Sequence, residues 1–491
     1  MRHVYSRFIP LLASSLVLLA GTSMAAVPSE TDDVFTVGAP ANRPATRGEQ
    51  LLQGGGGEQI LAHLAARNDG TAWLSWYHQA PNQTTYSLRL QRIDTEGHKH
   101  LGKEGILASV VDSDSWVTDY TLLTAKNGDA ILAYGNTTDY TMRLQRFDER
   151  GRSRWGAKGV VLTDPGMWGY EPNAVLCGDG SVVVAWSYES ATDRGVALQR
   201  VSPSGTVQWA VPQRIHGSDG NSAGFPKVIP AGTSDVIVAW LENGGPASGN
   251  AMVQRFDRWG RAVWPVTVQL NCLDPLPFVL KPELVSDGAG GAFAAWSLVK
   301  KDLSFEGLVQ HVRADGTVAW DPRGASVSNN PEMSHVISAL SLIHGHLVVA
   351  WREMDKNQNG SGIFVQAYDP NGLDPVGQFG PQGMALFDPM DPVGARLASI
   401  RPSPGGMAVF YASSQNFPFD ATAAVATVSL GLPDYWPGDT TLSPVASAKS
   451  DPAVSADVDG GYWIAWTDFR VDTEGSDIWG AYWKPPHSPH R

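Results

Sequence analysis

The sequence predicts an all-β fold, a single β-propeller of eight four-stranded blades. Three observations carry that expectation. An apolar strand that mostly opens on a glycine turn and closes on an aromatic recurs eight times: GTAWLSW (70–76), GDAILAY (128–134), GSVVVAW (180–186), SDVIVAW (234–240), GGAFAAW (290–296), GHLVVAW (345–351), GGMAVFY (405–411) and GGYWIAW (460–466). The closing aromatics Trp76, Tyr134, Trp186, Trp240, Trp296, Trp351, Tyr411 and Trp466 are spaced by 58, 52, 54, 56, 55, 60 and 55 residues, too even for chance. The composition agrees: 52 glycines, 33 prolines and only 17% charged residues describe a turn-rich β protein.

Each element of the unit has its own signal. A second strand follows the first across a variable polar stretch: LRLQRID, MRLQRFD, VALQRVS, AMVQRFD, GLVQHVR and IFVQAYD, with weaker versions in the last two units. Alternation places Met142 and Leu144 on one face. A D-x-x-G-like turn comes next, and Trp155, Trp209, Trp264 and Trp320 each fall four residues after its glycine. The stretches LQRFDERGRSRW (144–155) and VQRFDRWGRAVW (253–264) are this line written two periods apart. A short further strand and a proline-bearing segment lead to the next unit. Each unit thus holds about four short strands. One meander cannot bury both its faces, whereas blades stacked round an axis bury them against their neighbours.

Closure is also legible. The last unit ends soon after SDIWGAYW (476–483), without a fourth strand, while GEQLLQ (48–53) resembles fourth strands elsewhere. The N-terminal strand is therefore expected to complete the last blade and remove an open edge. Seven blades are the alternative, because the unit at 405–440 is the most degenerate.

The pattern GG-h-h-h-A-W followed by h-Q-R-h-D-x-x-G-x-x-x-W (h, apolar) resembles the blade repeat of secreted bacterial β-propeller proteins, over about residues 48–484. The resemblance implies the fold and is nearly silent on function, since propellers host binding, scaffolding and enzymatic roles alike.

Outside the repeat, residues 1–25 read as a signal peptide: basic Arg2 and Arg7, the apolar LLASSLVLLA (11–20), and SMA (23–25) before the cut. Residues 26–47 read as a linker, 48–484 as the propeller and 485–491 as a tail. Export to the periplasm or the exterior follows, and a monomer with no membrane span is expected. The formal charge of −13 repels phosphate backbones, so nucleic acid is excluded as a partner. Cys177 falls at one end of the ring and Cys272 at the other, so two free thiols are expected.

The loops divide into two classes. Turns between strands 1–2 and 3–4 are short and glycine-rich and share one end of the ring. Strand 2–3 loops and blade-to-blade crossings share the other end, and they are long and dissimilar. Variable loops on a repeated scaffold are where binding and catalysis usually sit. Polar residues just after the first-strand motif should face the channel mouth: His78 and Gln79, Tyr188 and Glu189, Glu242 and Asn243, Arg352 and Glu353, Asp468 and Arg470. Arg352 and Arg470 suit a carboxylate clamp, and His78 or Tyr188 suits a base. For any one of these residues, capping a strand end or pairing across blades is the favoured reading. Trp116, Trp168, Tyr170 and Phe225, in the crossings, suit stacking on sugar rings or packing over the blade tops. DKNQNGSG (355–362) matches the opening of a calcium loop through Asp355, Asn357 and Asn359, but Gln366 stands where the closing glutamate belongs; a polar turn is the competing reading. No cofactor other than calcium is suggested. The recurrent Gln–Arg pairs read as structural contacts with the adjacent blade.

These residues lead to a propeller that holds a glycan or a protein partner on its loop-rich face. The alternative is a polysaccharide lyase or glycosidase on that face, the former using His78 or Tyr188 with Arg352 or Arg470, the latter Glu353 and Asp468.

Overall fold

The computed structural model describes residues 47–485, except 117–118, 219–220, 244–248, 272–275, 277–279, 377–378, 392, 416–418, 431–438 and 471–474. The expected signal peptide, nearly all of the linker, Cys272 and residues 486–491 lie outside the described residues.

Eight four-stranded antiparallel sheets make the fold, and the described residues contain no α-helix. Each sheet is a meander whose first strand is innermost. The inner strands are Glu58–Ala66, Tyr120–Thr124, Trp168–Leu176, Ser222–Ala231, Glu283–Ser286, Met333–Ile343, Gly394–Ser403 and Lys449–Ala456, one for each of blades 1 to 8. Each touches the next around the ring, and the last touches the first. The degenerate seventh unit forms a full blade from Gly394–Ser403, Gly406–Ser414, Ala421–Ser429 and Asp439–Ser447, so the ring has eight blades and not seven. The N-terminal strand Arg47–Gln53 pairs antiparallel with Asp477–Trp483, with Leu51 opposite Trp479, and supplies the outer strand of blade 8.

The repeated aromatics fill the wedges between blades. Trp76, Trp186, Trp296 and Trp351 are fully buried. One apolar cluster joins Ile237 and Leu241 of blade 4 to Trp296 and Leu298 of blade 5, and another joins Leu74 and Trp76 to Trp463 and Tyr482 across the closure. Both faces of each second strand are therefore dry, which is why its motif is apolar throughout rather than alternating.

The Gln–Arg pair splits its work. Gln199 and Gln254 each bracket the backbone of a tryptophan in their own blade, Trp209 at 3.1 and 3.2 Å and Trp264 at 3.3 and 3.2 Å. The arginines cross to the next blade: Arg146 donates to Pro203 O at 2.8 Å, Arg200 to Ser234 O at 2.6 Å and Arg255 to Gly290 O at 3.0 Å. Each also pairs with an aspartate of its own blade, Asp129, Asp179 or Asp235. The adjacent-blade contact thus belongs to the arginine alone; the shorter glutamine side chain stays at home and pins its own fourth-strand segment.

Candidate functional site

Inner strands run from the loop-rich end toward the plain end, so their first residues stand at the channel mouth. The polar residues that follow the second-strand motif end at the same mouth, but most are engaged locally. Glu242, Glu353 and Asp468 each lie two residues after a closing tryptophan and accept its indole N–H, at 3.2, 2.9 and 3.0 Å. Glu242 also accepts from the amide and hydroxyl of Ser218, at 3.0 and 2.5 Å. Glu353 stands 3.6 Å from His335 Nε2; burial raises the Glu353 carboxyl and lowers the His335 imidazole to about 4. Burial would raise Asp468 too, but hydrogen bonds from Arg470, Ser447 and Trp466 and the charge of Lys449 outweigh it and hold the carboxyl low. Arg470 pairs with Asp468 and with Glu49 of the closing strand, and its guanidinium lies 3.8 Å from the Trp479 ring centre.

His78 donates from Nδ1 to Gln59 Oε1 at 2.8 Å, and burial lowers its pKa, so it is neutral near pH 7. Tyr188 is buried, donates to Asp193 at 3.1 Å and meets His216 at 3.0 Å; burial and Asp193 raise its phenol, which stays protonated. Arg352 donates to Gly360 O at 3.2 Å, and burial lowers its pKa. Gln79 and Glu189 close the ladders opposite Glu58 and Trp168, and the Asn243 backbone pairs with Ser222. In the 355–362 turn, the Asp355 carboxylate accepts from the Asn359 amide at 2.7 Å and from its side chain at 2.9 Å. Asn357 and Asn359 are exposed there. The one set of three metal-capable side chains that converges among the described residues, Asp94, Glu96 and His98, is at the plain end.

A different set meets at the mouth. Fifteen residues before each closing aromatic, every blade offers one position: Leu61, Asp119, Glu171, Phe225, Lys281, Val336, Arg396 and Asp451. The inner strand is bulged at this height, so that two residues oppose one. Ile60 pairs with Tyr77 but His63 with Ser75, and the same slip recurs at Tyr170/Asn173, Gly224/Lys227 and Ser450/Ala453. Leu61, Asp119, Glu171, Phe225 and Asp451 take φ values of 56°, 49°, 54°, 57° and 49°. For residues other than glycine that conformation costs about 1–3 kcal/mol each. Proline follows the position in four blades, as Pro172, Pro226, Pro282 and Pro452, and keeps the preceding residue out of the right-handed helical region.

These positions share the channel. Lys281 of blade 5 lowers the pKa of Glu171 in blade 3, and Asp119 of blade 2 raises that of Asp451 in blade 8, although a blade stands between the partners in each case. The result is a two-sided ring. Asp451, Asp119 and Glu171 form an acidic arc over blades 8, 2 and 3, and Lys281 and Arg396 form a cationic arc over blades 5 and 7. Burial pushes the Glu171 carboxyl up, with Asp119 adding to it against Lys281 and Ser187. Burial likewise raises Asp451, against Ser450 and Arg396. Ser187 Oγ donates to Glu171 at 3.2 Å and accepts the Phe225 amide at 3.0 Å, tying two bulges together. His63 Nε2 stands 3.1 Å from Asp119 Oδ1, and its ring packs on Tyr120 at 4.2 Å.

Among the aromatics named from the sequence, Trp116 and Trp168 are exposed at the mouth, and Trp168 stacks on Tyr140 with ring centres 5.0 Å apart. Phe225 is a ring position with the Lys281 ammonium 5.1 Å from its centre, and Tyr170 is partly buried beside Glu171. Sequence reasoning reached Phe225 as an aromatic but not the rest of the ring. The signal was present as the fixed spacing of fifteen and the recurring X-Pro step.

No family model matches the chain, and no curated protein does. Solved structures resemble it in fold. A protein of unknown function from Dyadobacter fermentans aligns with a TM-score of 0.41 at 10% identity, over 90% of this chain and 99% of that one. The polysaccharide lyase Uly1 aligns at 0.41 and 8%, over 95% and 98%. The α-L-arabinanase of Penicillium chrysogenum, complexed with arabinobiose, aligns at 0.36 and 11%, over 64% and 92%. At these values the likeness carries no argument about the site.

Proposed function

We propose that the loop-rich mouth of the propeller is a glycan-binding face and that the protein is exported to use it. The distribution of exposed aromatics carries this reading. Trp116, Tyr140, Trp168, Phe419 and Phe469 all stand at the loop-rich end, and among the exposed aromatics of the described residues only Trp259 stands at the plain end. A bare aromatic face stacks on the apolar face of a sugar ring, while the carboxylates and cations of the channel ring hydrogen-bond its hydroxyls. Lys281 and Arg396 additionally suit an anionic substituent, a uronate or a sulfate. Export is supported by Arg2 and Arg7 ahead of LLASSLVLLA and SMA.

Retention on neutral, uronate-bearing and sulfated polysaccharides tests the proposal. At least one class is expected to be retained, with Trp168→Ala weakening it about tenfold and Trp259→Ala leaving it unchanged. Retention of none, or loss on Trp259→Ala alone, would overturn it; the first result points to a protein partner.

A further inference from the structure

We propose that the channel ring is an acid–base site that hydrolyses a glycosidic bond, with Glu171 as proton donor and Asp119 as the carboxylate that activates water. The inference rests on the glycan reading of the mouth and deepens it. The two residues come from neighbouring blades at the same position of the repeat, Glu171 within its inner strand and Asp119 just ahead of its own, and both take positive φ. The same positive φ at Leu61, Phe225 and Asp451 marks this level as a repeated ring, on which Asp119 and Glu171 are the carboxyls of two adjacent blades.

Their surroundings differ in the way such a pair requires. Glu171 is partly buried with Ser187 on Oε2, and burial disfavours its charged form. Asp119 accepts at Oδ1 from its neighbour's amide, Tyr120 N at 2.6 Å, and faces His63. A carboxyl whose burial disfavours charge suits the proton donor, and one that accepts an amide N–H beside an imidazole suits the carboxylate that activates water. A further observation points to a ligand. His63 is buried, and its Nδ1 has no hydrogen-bond partner among the described residues, a polar atom that a bound hydroxyl would satisfy. Lys281 and Arg396 on the opposite arc would hold the sugar across the ring.

The step balances with water as the only co-reactant. The water oxygen bonds to the anomeric carbon and its proton passes to Asp119. The carbon–oxygen bond to the leaving sugar breaks, its electron pair stays on that oxygen, and Glu171 protonates it. Exchange with solvent then returns the proton from Asp119 to Glu171.

The test is reducing-end release in isotopically labelled water, with retention measured on the same polysaccharide. The wild type is expected to release reducing ends that carry the label. Glu171→Gln and Asp119→Asn are expected to lose at least about a hundredfold in turnover while retaining the polysaccharide, and Asp315→Asn, in an exposed plain-end turn, to lose nothing. The alkaline limb of the wild-type profile should lie above the ordinary carboxylate range and vanish in Glu171→Gln. Should that variant fail to fold, Glu171→Asp, which keeps the charge and withdraws the carboxyl, should fold and still lose turnover. A polysaccharide retained but not cleaved, or cleaved equally by Glu171→Gln, overturns hydrolysis and leaves the glycan reading standing. Products with an unsaturated uronate chromophore and no label mean elimination, which also overturns it. Retention of no polysaccharide overturns both.

Discussion

Glu171 and Asp451 are both raised above their ordinary values of 4.5 and 3.8, chiefly by burial. A carboxyl raised in the folded state contributes stability that is fully present below its unfolded value and is lost as pH rises through its folded value. Glu171→Gln and Asp451→Asn should therefore melt at higher temperature than the wild type near neutral pH, with the gap closing below about pH 4. Asparagine tolerates the positive φ of Asp451, which favours the same outcome. Melts at matched ionic strength check this; equal melting at every pH would mean that these carboxyls are solvated. The ring was the least legible part of the sequence. Polar residues after the second-strand motif were conspicuous, but Glu242, Glu353 and Asp468 turned out to bond their own tryptophans. A bulge carries the ring position in the blades of Leu61, Glu171, Phe225 and Asp451, Asp119 stands just ahead of its inner strand, and period-2 alternation gives no warning of either. Only the repeat register, counted backward from the aromatic, finds Asp119 or Glu171.

Among the elements, the plain-end turns and the closing strand make separate demands. Asp69, Asp94, Asp148, Asp179, Asp257, Asp287 and Asp315 each accept backbone N–H groups in a short turn. Burial raises most of these carboxyls, slightly where exposed, but the turn hydrogen bonds outweigh it and hold all seven below 3.8. Lowered carboxyls contribute stability above their unfolded value and lose it as pH falls through the folded one. The urea midpoint is thus expected to drop steeply between about pH 5 and about pH 3, and a flat midpoint would contradict the turn bonding. Deleting residues 47–53 removes the pairing of Leu51 with Trp479 and the Glu49–Arg470 ion pair and leaves Asp477–Trp483 as an open edge. A lower melting temperature and self-association on gel filtration are expected; an unchanged monomeric melt would show that the closure is dispensable. This strand was legible because the last unit lacked its own fourth one.

The whole ring is held by its interblade wedges. Trp296 is fully buried in the cluster joining blades 4 and 5. Trp296→Ala should cost about 3–5 kcal/mol, read as a fall in urea midpoint with little change in slope. Blade number, strand order and closure were legible because each blade must solve the same burial problem, so the chain writes the solution eight times. The ligand was not legible, because the loops that meet it solve different problems and share no pattern. The most direct test of where the protein acts is hydrogen exchange with and without a retained polysaccharide. Protection is expected in the crossing at 108–116, in the 135–141 loop and in the first turns of the inner strands from Trp168 and Lys449, with the plain-end turns unchanged. Protection confined to turns such as 94–98 and 257–261 would contradict the assignment of function to the loop-rich mouth.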